Sequence, residues 1–454
     1  MEYALRMRDS FSRSSISSWA SCPTSFSRSV LLALGVIGSA LLPLGCDGGD
    51  ADPAGGPDTA LPMVPPGPVD TGEPAPVDDP AANAAWQSQW FSDTMVHEVA
   101  ITLSDDARRS LSADPYEFVT AAAVSFDGEF VLDAGIRLRG KIGSFRTLDG
   151  KPKFKIDFGE FVDGQDFHGL KSVALNNEVV DCSYLREPLA YGVYRDAGVS
   201  ASRTGFAHVT VNGEDYGLYV TVEVPDSRFL TDRLPDDDGG QLYDGKYTYY
   251  EDGSYTLLDF DLGVGALYQL EEGEDNGNQD IFEMTAAIEA ATASGSFGSG
   301  LDDAVDWEQI HTNFAVEQWL GHIDGYAMNR NNYRVYFRPS DGKMSIMPWD
   351  FDYAFLDDYA WGMSWYTPSG VIARLCWQDP ACLSAQAEGM RGVLDTIDTD
   401  ASLARIDAMT ALIHDYAVSD PKRECAKRNI TGEQERVRAW VETRSDAMRA
   451  WWQL

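Results

Sequence analysis

The chain has 454 residues, of which 44% are hydrophobic and 11% aromatic, and its formal net charge is −37. That apolar content supports a folded core and excludes a wholly disordered protein. The acidic surface repels nucleic acid and anionic lipid, so we expect no nucleic-acid partner. Its simplest role is to keep a protein soluble outside the cell, and we expect a monomer.

The first 46 residues have the features of a signal peptide. Four arginines precede an uncharged run over 29–44, and Gly45-Cys46 follows that run. Glycine before cysteine resembles a lipoprotein cleavage site, at which a lipid anchor on Cys46 would be the only contact with a membrane. Because Pro43 does not fit that pattern, a plain secretory signal and a retained membrane anchor remain alternatives. The predicted location is the bacterial cell envelope or the medium.

Residues 47–92 are predicted to be a disordered linker, because proline, glycine, aspartate and alanine dominate the segment and apolar periodicity is lacking. The folded domain is then expected over 93–454.

Four cysteines follow Cys46, and export would permit them to form disulfides. Cys376 and Cys382 flank a turn-like segment and are candidates to close a short loop, whereas the pairing of all four stays open. No Cys-x-x-Cys pair occurs, which argues against a zinc site. The other two cysteines after Cys46 are Cys182 and Cys425.

Strand patterns dominate the first half of the domain and helical patterns the second half. Residues 124–132 and 208–223 are typical of hairpins with Asp-Gly and Asn-Gly turns. One main helix is predicted at 183–196. The second half is predicted to hold one hairpin at 333–347 and helices at 281–291, 307–323, 403–416 and 433–452. The fold class is therefore α+β, with a sheet-rich N-lobe over 93–225 and a mostly helical C-lobe over 226–454.

The densest cluster of reactive residue types is His322-Ile323-Asp324, with Asn329 five positions after the aspartate. This His-x-Asp-x(4)-Asn spacing is that of the catalytic loop of protein kinases. An aspartate held there can accept the proton of an attacking hydroxyl group. The asparagine can turn its amide oxygen toward a magnesium ion, and Asn332 is a rival for that role.

After the predicted hairpin comes Asp350-Phe351-Asp352, where kinases carry the metal-binding Asp-Phe-Gly. Two carboxylates two residues apart are suitable ligands for Mg²⁺ or Mn²⁺. Because Asp352 replaces the usual glycine, the choice between Asp350 and Asp352 as metal ligand stays open.

A cationic run over 137–155 contains seven basic residues and one acidic residue. Such a concentration within an acidic protein is expected to bind a compact anion such as a nucleotide triphosphate. We expect Lys155 to hold the phosphates, with Lys153 as second choice and Arg139 beside them. Glu187 is a candidate partner for that lysine, and the strand ending at Glu223 resembles the one that leads to the adenine-binding hinge of kinases.

Several segments together resemble the CotH kinase family over about 93–454. The more specific ones are the hairpin Asn-Gly-x-x-x-Gly-x-Tyr at 212–219 and Pro-Trp-Asp-x-Asp at 348–352; the others are 131–141, 151–158, 175–198, 240–245 and 438–444. The resemblance implies a two-lobed, divergent protein-kinase-like fold, with ATP and Mg²⁺ or Mn²⁺ as cofactors. It further implies transfer of phosphate to Ser or Thr of a protein substrate at the cell surface. By position, Asp324 matches the catalytic aspartate, Asn329 its metal-binding partner and Asp350 the second metal ligand.

Two other functions fit the same residues. The first is a noncatalytic surface adhesin or carbohydrate-binding lipoprotein on a kinase-like scaffold, with aromatic side chains that line a sugar groove. The second is a metal-dependent hydrolase, which is disfavoured because no nucleophile or base other than Asp324 is evident.

Overall fold

A computed structural model describes residues 79–250, 253–261, 263–357 and 360–454, and every structural statement below concerns these residues. Their mixture of helices and strands confirms the α+β class, with the larger sheet in the first half. The two-lobed kinase-like arrangement stays a prediction. The predicted signal segment and Cys46 lie outside the described residues.

The first half of the chain alternates short strands with four helices. The strands are β1 Val96–Thr102, β2 Val119–Thr120, β3 Ala123–Phe126, β4 Glu129–Val131, β5 Gly135–Arg139, β6 Lys153–Asp157, β7 Ser172–Asn176, β8 Thr204–Val211 and β9 Glu214–Glu223, and the helices are α1 Pro80–Trp90, α2 Asp105–Ala113, α3 Arg186–Asp196 and α4 Ser227–Arg233. Asp127 and Gly128 both have positive φ in the tight turn between β3 and β4, as an Asp-Gly hairpin turn requires.

These nine strands form one sheet in the order β2-β5-β6-β7-β9-β8-β1-β3-β4. All neighbouring pairs are antiparallel except β1 and β8, which run parallel. Because side chains alternate along a strand, Phe154 and Ile156 of β6 enter the core on one face, while Lys153 and Lys155 point to the other. The second face carries the candidate site where β5 and β6 lie side by side.

The second half is mostly helical, as predicted, but it also contains a four-stranded sheet of which only one hairpin was predicted. The strands of this half are β10 Gln241–Asp244, β11 Thr248–Tyr249, β12 Tyr255–Thr256, β13 Gln269–Glu272, β14 Tyr333–Phe337 and β15 Met344–Pro348. The helices of this half are α5 Gln279–Ser294, α6 Trp307–Leu320, α7 Tyr326–Asn329, α8 Val371–Gln378, α9 Pro380–Thr396, α10 Thr399–Ser419 and α11 Lys427–Trp452. The sheet order is β13-β10-β14-β15, and β11 pairs only with β12.

The large sheet and the C-terminal helices share one hydrophobic core. Leu218 and Val220 of β9 belong to the same buried cluster as Trp319 of α6, Met409 of α10 and Val437 of α11. This shared burial of apolar surface fixes the helices against the sheet face that also carries Lys153.

The predicted linker ends earlier than expected, which corrects the boundary at residue 92. Asp79 caps α1 by accepting hydrogen bonds from the backbone N–H groups of Ala81 and Ala82. Trp90 is buried, and the ring of Trp86 stacks on His168 at 4.4 Å. Two tryptophans with partners in the domain hold this alanine-rich helix against the sheet.

The four cysteines that follow Cys46 form two disulfides in the structure. Cys376 pairs with Cys382, as the short loop suggested, and Cys182 pairs with Cys425 across 243 positions of sequence. Within the described ranges, none of the helices combines the length and the apolar character needed to cross a membrane.

Candidate active site

A cleft of about 410 Å³ brings the cationic run and the predicted catalytic segment together. Six basic and five acidic residues line it, although the whole chain has about twice as many acidic as basic residues. The basic residues are Arg137, Arg139, Lys141, Lys155, Lys246 and Arg334, and the acidic residues are Asp244, Glu271, Asp324, Asp350 and Asp352. Within the described residues, side chains of the cationic run and of the predicted catalytic and metal-binding segments therefore line one cleft.

The cationic wall arises from the register of two neighbouring strands. Arg137 of β5 lies opposite Lys155 of β6, and Arg139 lies opposite Lys153. Like charges directly opposite each other destabilise a strand pair, so this arrangement needs compensation from elsewhere. Part of that compensation comes from carboxylates beyond the sheet.

Lys153 provides the direct link between the sheet and the predicted metal-binding segment. Its Nζ lies 2.9 Å from Asp350 Oδ2 and 3.2 Å from Asp352 Oδ2, and its side chain is only 2% exposed. Although burial opposes the charged form, the two carboxylates raise the pKa of Lys153 above its ordinary value. Burial and the neighbouring Asp350 charge raise the pKa of Asp352 to about 8, because one lysine faces two carboxylates.

Lys155, the preferred phosphate ligand from the sequence, occupies a different position. Its Nζ pairs with Asp157 at 3.3 Å, and its side chain lines the cleft without contacting Asp350 or Asp352. Lys153, the second choice from the sequence, is the lysine that contacts the predicted metal-binding segment, and which of the two lysines holds the phosphates stays a prediction. Lys153 and Lys155 lie on the same face of β6, so strand alternation does not distinguish them. They have different partners because the loop after β15 packs against Lys153.

Asp324 lies in a loop that is held rigidly after α6. The helix ends at Gly321, whose φ of 58° suits a left-handed C-cap. At Gly325 a Cβ atom would lie 2.2 Å from Glu317 Oε1, so glycine permits Glu317 to pack against the loop. That same oxygen accepts the Ala327 N–H at 2.9 Å. The buried Glu317 carboxyl therefore fixes the loop that presents Asp324.

Three asparagine side chains converge on the Asp324 carboxylate. The amide nitrogens of Asn329, Asn331 and Asn332 donate to its two oxygens at 2.6, 3.1 and 2.9 Å. Burial raises the pKa of Asp324 to about 6, and the hydrogen bonds from the amides oppose that rise. The carboxylate is thus oriented, largely ionised at neutral pH and able to accept a proton.

The oxygen atoms at this site fit the predicted Mg²⁺ or Mn²⁺. An ionised carboxylate only accepts hydrogen bonds, so Asn329 and Asn332 turn their NH₂ groups toward Asp324 and keep their amide oxygens for another partner. Asp350 adds a carboxylate, and magnesium commonly takes one or two carboxylates together with substrate phosphates. Over the described ranges, three or more His, Cys, Asp or Glu side chains are nowhere grouped as metal ligands. The choice between Asn329 and Asn332, and between Asp350 and Asp352, stays open.

The β14–β15 hairpin brings the loop that carries Asp324 close to the loop that carries Asp350 and Asp352. The Trp349 N–H donates to the Asn332 carbonyl oxygen at 3.0 Å, so the residues on either side of β14–β15 return to the same place. Asp350 and Asn332 both have positive φ, at 50° and 52°. Such conformations of non-glycine residues concentrate at functional sites, where packing holds them.

Glu187 lies behind the cleft, fully buried on α3. Its two carboxylate oxygens accept hydrogen bonds from Asn176 Nδ2 at 2.9 and 2.8 Å, and burial raises the pKa of its carboxyl. Its charge acts on Lys153, but the direct partners of Lys153 are Asp350 and Asp352. The predicted Lys–Glu pair is thus replaced by a lysine between two aspartates.

Glu223, expected near the adenine of the nucleotide, does not place its side chain in the cleft, and the expected adenine contact by backbone groups there stays a prediction. Its carboxylate is buried between Arg203 and Arg233 and does not line the cleft. The next residue, Val224, does line it. Glu223 is the last residue of β9 and Val224 follows it, so the chain reaches the cleft where the strand ends.

Sequence reasoning missed Arg334 and underrated Trp349, which was expected only to pack beneath a loop. Both line the cleft, and the Arg334 Cζ atom lies 4.2 Å from the centre of the Trp349 ring. One indication was present in the sequence: an arginine stands two residues after Asn332 in an otherwise hydrophobic strand. Exposed aromatic side chains at the mouth were also missed as site residues; these are Tyr116, Tyr255 and Trp361.

Comparison with known proteins agrees with the resemblance noted in the sequence. The chain is similar to inner spore coat protein H of Bacillus subtilis (strain 168), with 25% identity over 256 residues. The match covers 54% of this chain and 65% of that protein, so it spans less than two thirds of the relative. A family model described as CotH kinase protein matches residues 136–448, which is more than half of the chain. The chain therefore belongs to the CotH kinase protein family.

Proposed function

We propose that this protein is an exported, metal-dependent kinase that transfers the γ-phosphate of ATP to Ser or Thr hydroxyl groups of surface or secreted proteins. The observation that carries the proposal is the shared cleft: the cationic face of β5–β6 and the Asp324 and Asp350 carboxylates line the same cavity. A cavity of about 410 Å³ is within the usual size of small-molecule sites.

In this proposal Asp324 positions the acceptor hydroxyl group and takes its proton. The hydroxyl oxygen forms a new bond to the γ-phosphorus, and the bond from that phosphorus to the bridging oxygen of ADP breaks. The proton passes to the Asp324 carboxylate, whose pKa of about 6 suits a general base near neutral pH. Three asparagine donors hold the carboxylate still, and such positioning is most of what phosphoryl transfer requires from a protein.

The metal would lie with Asp350, joined by Asn329 or Asn332, and would neutralise the phosphate charge when bound. Asp350 suits this role because interaction with Lys153 keeps the pKa of its carboxyl low despite burial. An ionised carboxylate is therefore present over the whole physiological pH range.

The test is transfer of labelled phosphate from ATP by the full-length chain, with magnesium or manganese, onto itself and onto a mixture of secreted proteins. We expect Asp324→Asn and Asp350→Asn to lose activity by about 10²–10⁴-fold, since each removes a group that acts on the reacting atoms. Asp407→Asn is the matched control, because Asp407 is exposed on α10 and pairs with Arg438. Transfer that persists in Asp324→Asn would contradict the assignment, as would absence of transfer in the wild type.

An extracellular or coat-associated location is supported by the relative, which is named as a spore coat protein. Two disulfides also suit an oxidising compartment. Lipid attachment at Cys46 is part of the proposal and is checked by mass spectrometry of the mature N-terminus and by a Cys46→Ser variant, which should be released into the medium.

A noncatalytic adhesin or carbohydrate-binding role is the second candidate, favoured by the aromatic mouth of the cleft. Tyr255 and Trp361 are 56% and 53% exposed, which is unusual for large aromatic side chains and typical of surfaces that bind a partner. Thermal shift separates the two functions: ATP with metal should raise the melting temperature of a kinase, whereas a glycan alone should raise that of an adhesin.

A further inference from the structure

The lysines in the cleft, and Lys153 behind it, already have partners. Lys153 is held by two aspartates, Lys155 by Asp157 and Lys246 by Asp244 at 2.7 Å. Lys141 donates to the backbone oxygen of Tyr247 at 2.6 Å. Among the described residues, Lys141 and the three arginines of the cleft, Arg137, Arg139 and Arg334, have no ion pair, so they carry the charges left to meet a ligand.

Two of these arginines share a single aromatic ring. The Cζ atoms of Arg139 and Arg334 lie 5.1 and 4.2 Å from the centre of the Trp349 ring. Arg139 comes from β5 in the large sheet, and Arg334 comes from β14 in the smaller one. The ring thus gathers two guanidinium groups from the two sheets at one place in the cleft.

Arg334 is buried without a matching acceptor. It is 6% exposed, and its Nε and Nη1 atoms are buried with no hydrogen-bond partner in the described structure. Arg139 donates through Nη1 to Asn176 Oδ1 at 3.2 Å, and neither arginine forms an ion pair with a described carboxylate. Burial, and repulsion from Arg137 and Arg334, lower the pKa of Arg139, although nearby carboxylates oppose this.

A buried guanidinium with unused donors destabilises the fold unless an anion meets it. Stacking on tryptophan offsets only part of that destabilisation, because it leaves the N–H donors without acceptors. A phosphate group satisfies the planar fork of an arginine through two parallel hydrogen bonds, and two arginines suit adjacent phosphates.

We propose that Arg139 and Arg334, gathered on Trp349, form the polyphosphate-binding site of this cleft. The inference rests on the proposed kinase function and deepens it, because it assigns the nucleotide phosphates to this arginine pair and leaves Lys153 to hold Asp350 and Asp352. Arg334 is a binding residue contributed by the strand that directly follows the asparagine cluster.

The experiment measures calorimetric affinity of the full-length chain for inorganic tripolyphosphate, ATP and adenosine in the presence of EDTA. We expect Arg334→Gln and Arg139→Gln each to weaken tripolyphosphate and ATP binding by about 10–100-fold, the usual effect of losing hydrogen bonds to a charged group. Adenosine binding should not change. Arg374→Gln is the matched control, because Arg374 is on α8 and pairs with Asp261 away from the cleft.

Unchanged tripolyphosphate affinity in Arg334→Gln would overturn the inference, as would equal losses in Arg374→Gln. Competition by a glutamate-rich peptide as strong as that by tripolyphosphate would indicate an acidic-peptide site instead. If Arg334→Gln does not fold, Arg139→Gln decides the matter with the same ligands: unchanged affinity for tripolyphosphate in that variant would overturn the inference.

The inference and the proposed function can fail separately. If the wild type binds tripolyphosphate through Arg334 but transfers no phosphate, the polyphosphate-binding site is supported and the kinase function is contradicted. If the wild type transfers phosphate and Arg334→Gln has an unchanged KM for ATP, the kinase function is supported and the polyphosphate-binding site is contradicted.

Discussion

Lys153 on β6 holds Asp350, which lies 197 positions later in the chain, with 2.9 Å between Nζ and Oδ2. This ion pair joins the large sheet to the loop after β15 and also includes Asp352. It is buried, so the loss of the lysine would leave two aspartates facing each other in a poorly hydrated place.

We therefore expect Lys153→Met to lower the free energy of unfolding by about 3–5 kcal/mol at neutral pH. Lys155→Met is the matched control on the same strand face, and it should cost about 1 kcal/mol or less because its pair with Asp157 is more exposed. Urea denaturation measures both. Equal losses would show that the contact with the acidic loop does not decide the difference.

Asp324 should give activity a pH dependence with a midpoint near 6. Burial raises the pKa of its carboxyl to about 6, and only the ionised form can take a proton from a hydroxyl group. Labelled-phosphate transfer should therefore fall tenfold per pH unit below about pH 6. A rate that is constant from pH 7 to pH 5 would contradict the role of Asp324 as the base.

The same carboxyl should affect stability in the opposite direction. Because its folded pKa of about 6 lies above the unfolded value near 3.9, protonation favours the folded state. Its contribution is fully present below pH 4 and is lost as the pH rises to 6, by on the order of 3 kcal/mol. Asp324→Asn lacks this titration, so the stability of wild type relative to the variant should decrease over that window and then level out.

A second buried ion pair, Lys151–Asp420, fastens the end of α10 to the sheet. Nζ and Oδ2 are 2.6 Å apart, both side chains are 0% exposed, and the same carboxylate oxygen accepts the Leu218 N–H. We expect Lys151→Met and Asp420→Asn each to cost about 3–5 kcal/mol, because each leaves its partner buried and unpaired.

The double variant should cost about 1–3 kcal/mol less than the sum of the two single changes. A double-mutant cycle by urea denaturation checks this, and strict additivity would show that the two groups do not interact.

The two disulfides should differ in their effect on stability. Cys182–Cys425 closes 243 residues and Cys376–Cys382 closes 6. If both act by restricting the unfolded chain, replacing the first pair by serine should cost about 5 kcal/mol and the second about 2 kcal/mol. Thermal unfolding of the two double-serine variants measures this, and a greater loss from the short loop would contradict the entropic explanation.

Much of the local structure was predictable because it depends on neighbours in sequence. The hairpin at Asp127-Gly128 follows from residues that tolerate positive φ, and the helices α6, α10 and α11 follow from their apolar periodicity. The boundary of the linker was wrong, because α1 depends on Trp86 and Trp90 packing against distant residues.

The sequence by itself determined which chemistry the chain can offer: a cationic run, the aspartates at 324, 350 and 352, and the asparagines between them. Only the tertiary structure decided that Lys153 rather than Lys155 meets Asp350, that Glu223 lies away from the cleft, and that Arg334 enters it. Alternation along a strand limits a side chain to one of two faces. What it meets there depends on segments almost two hundred residues away, whose positions are fixed by the burial of a shared core.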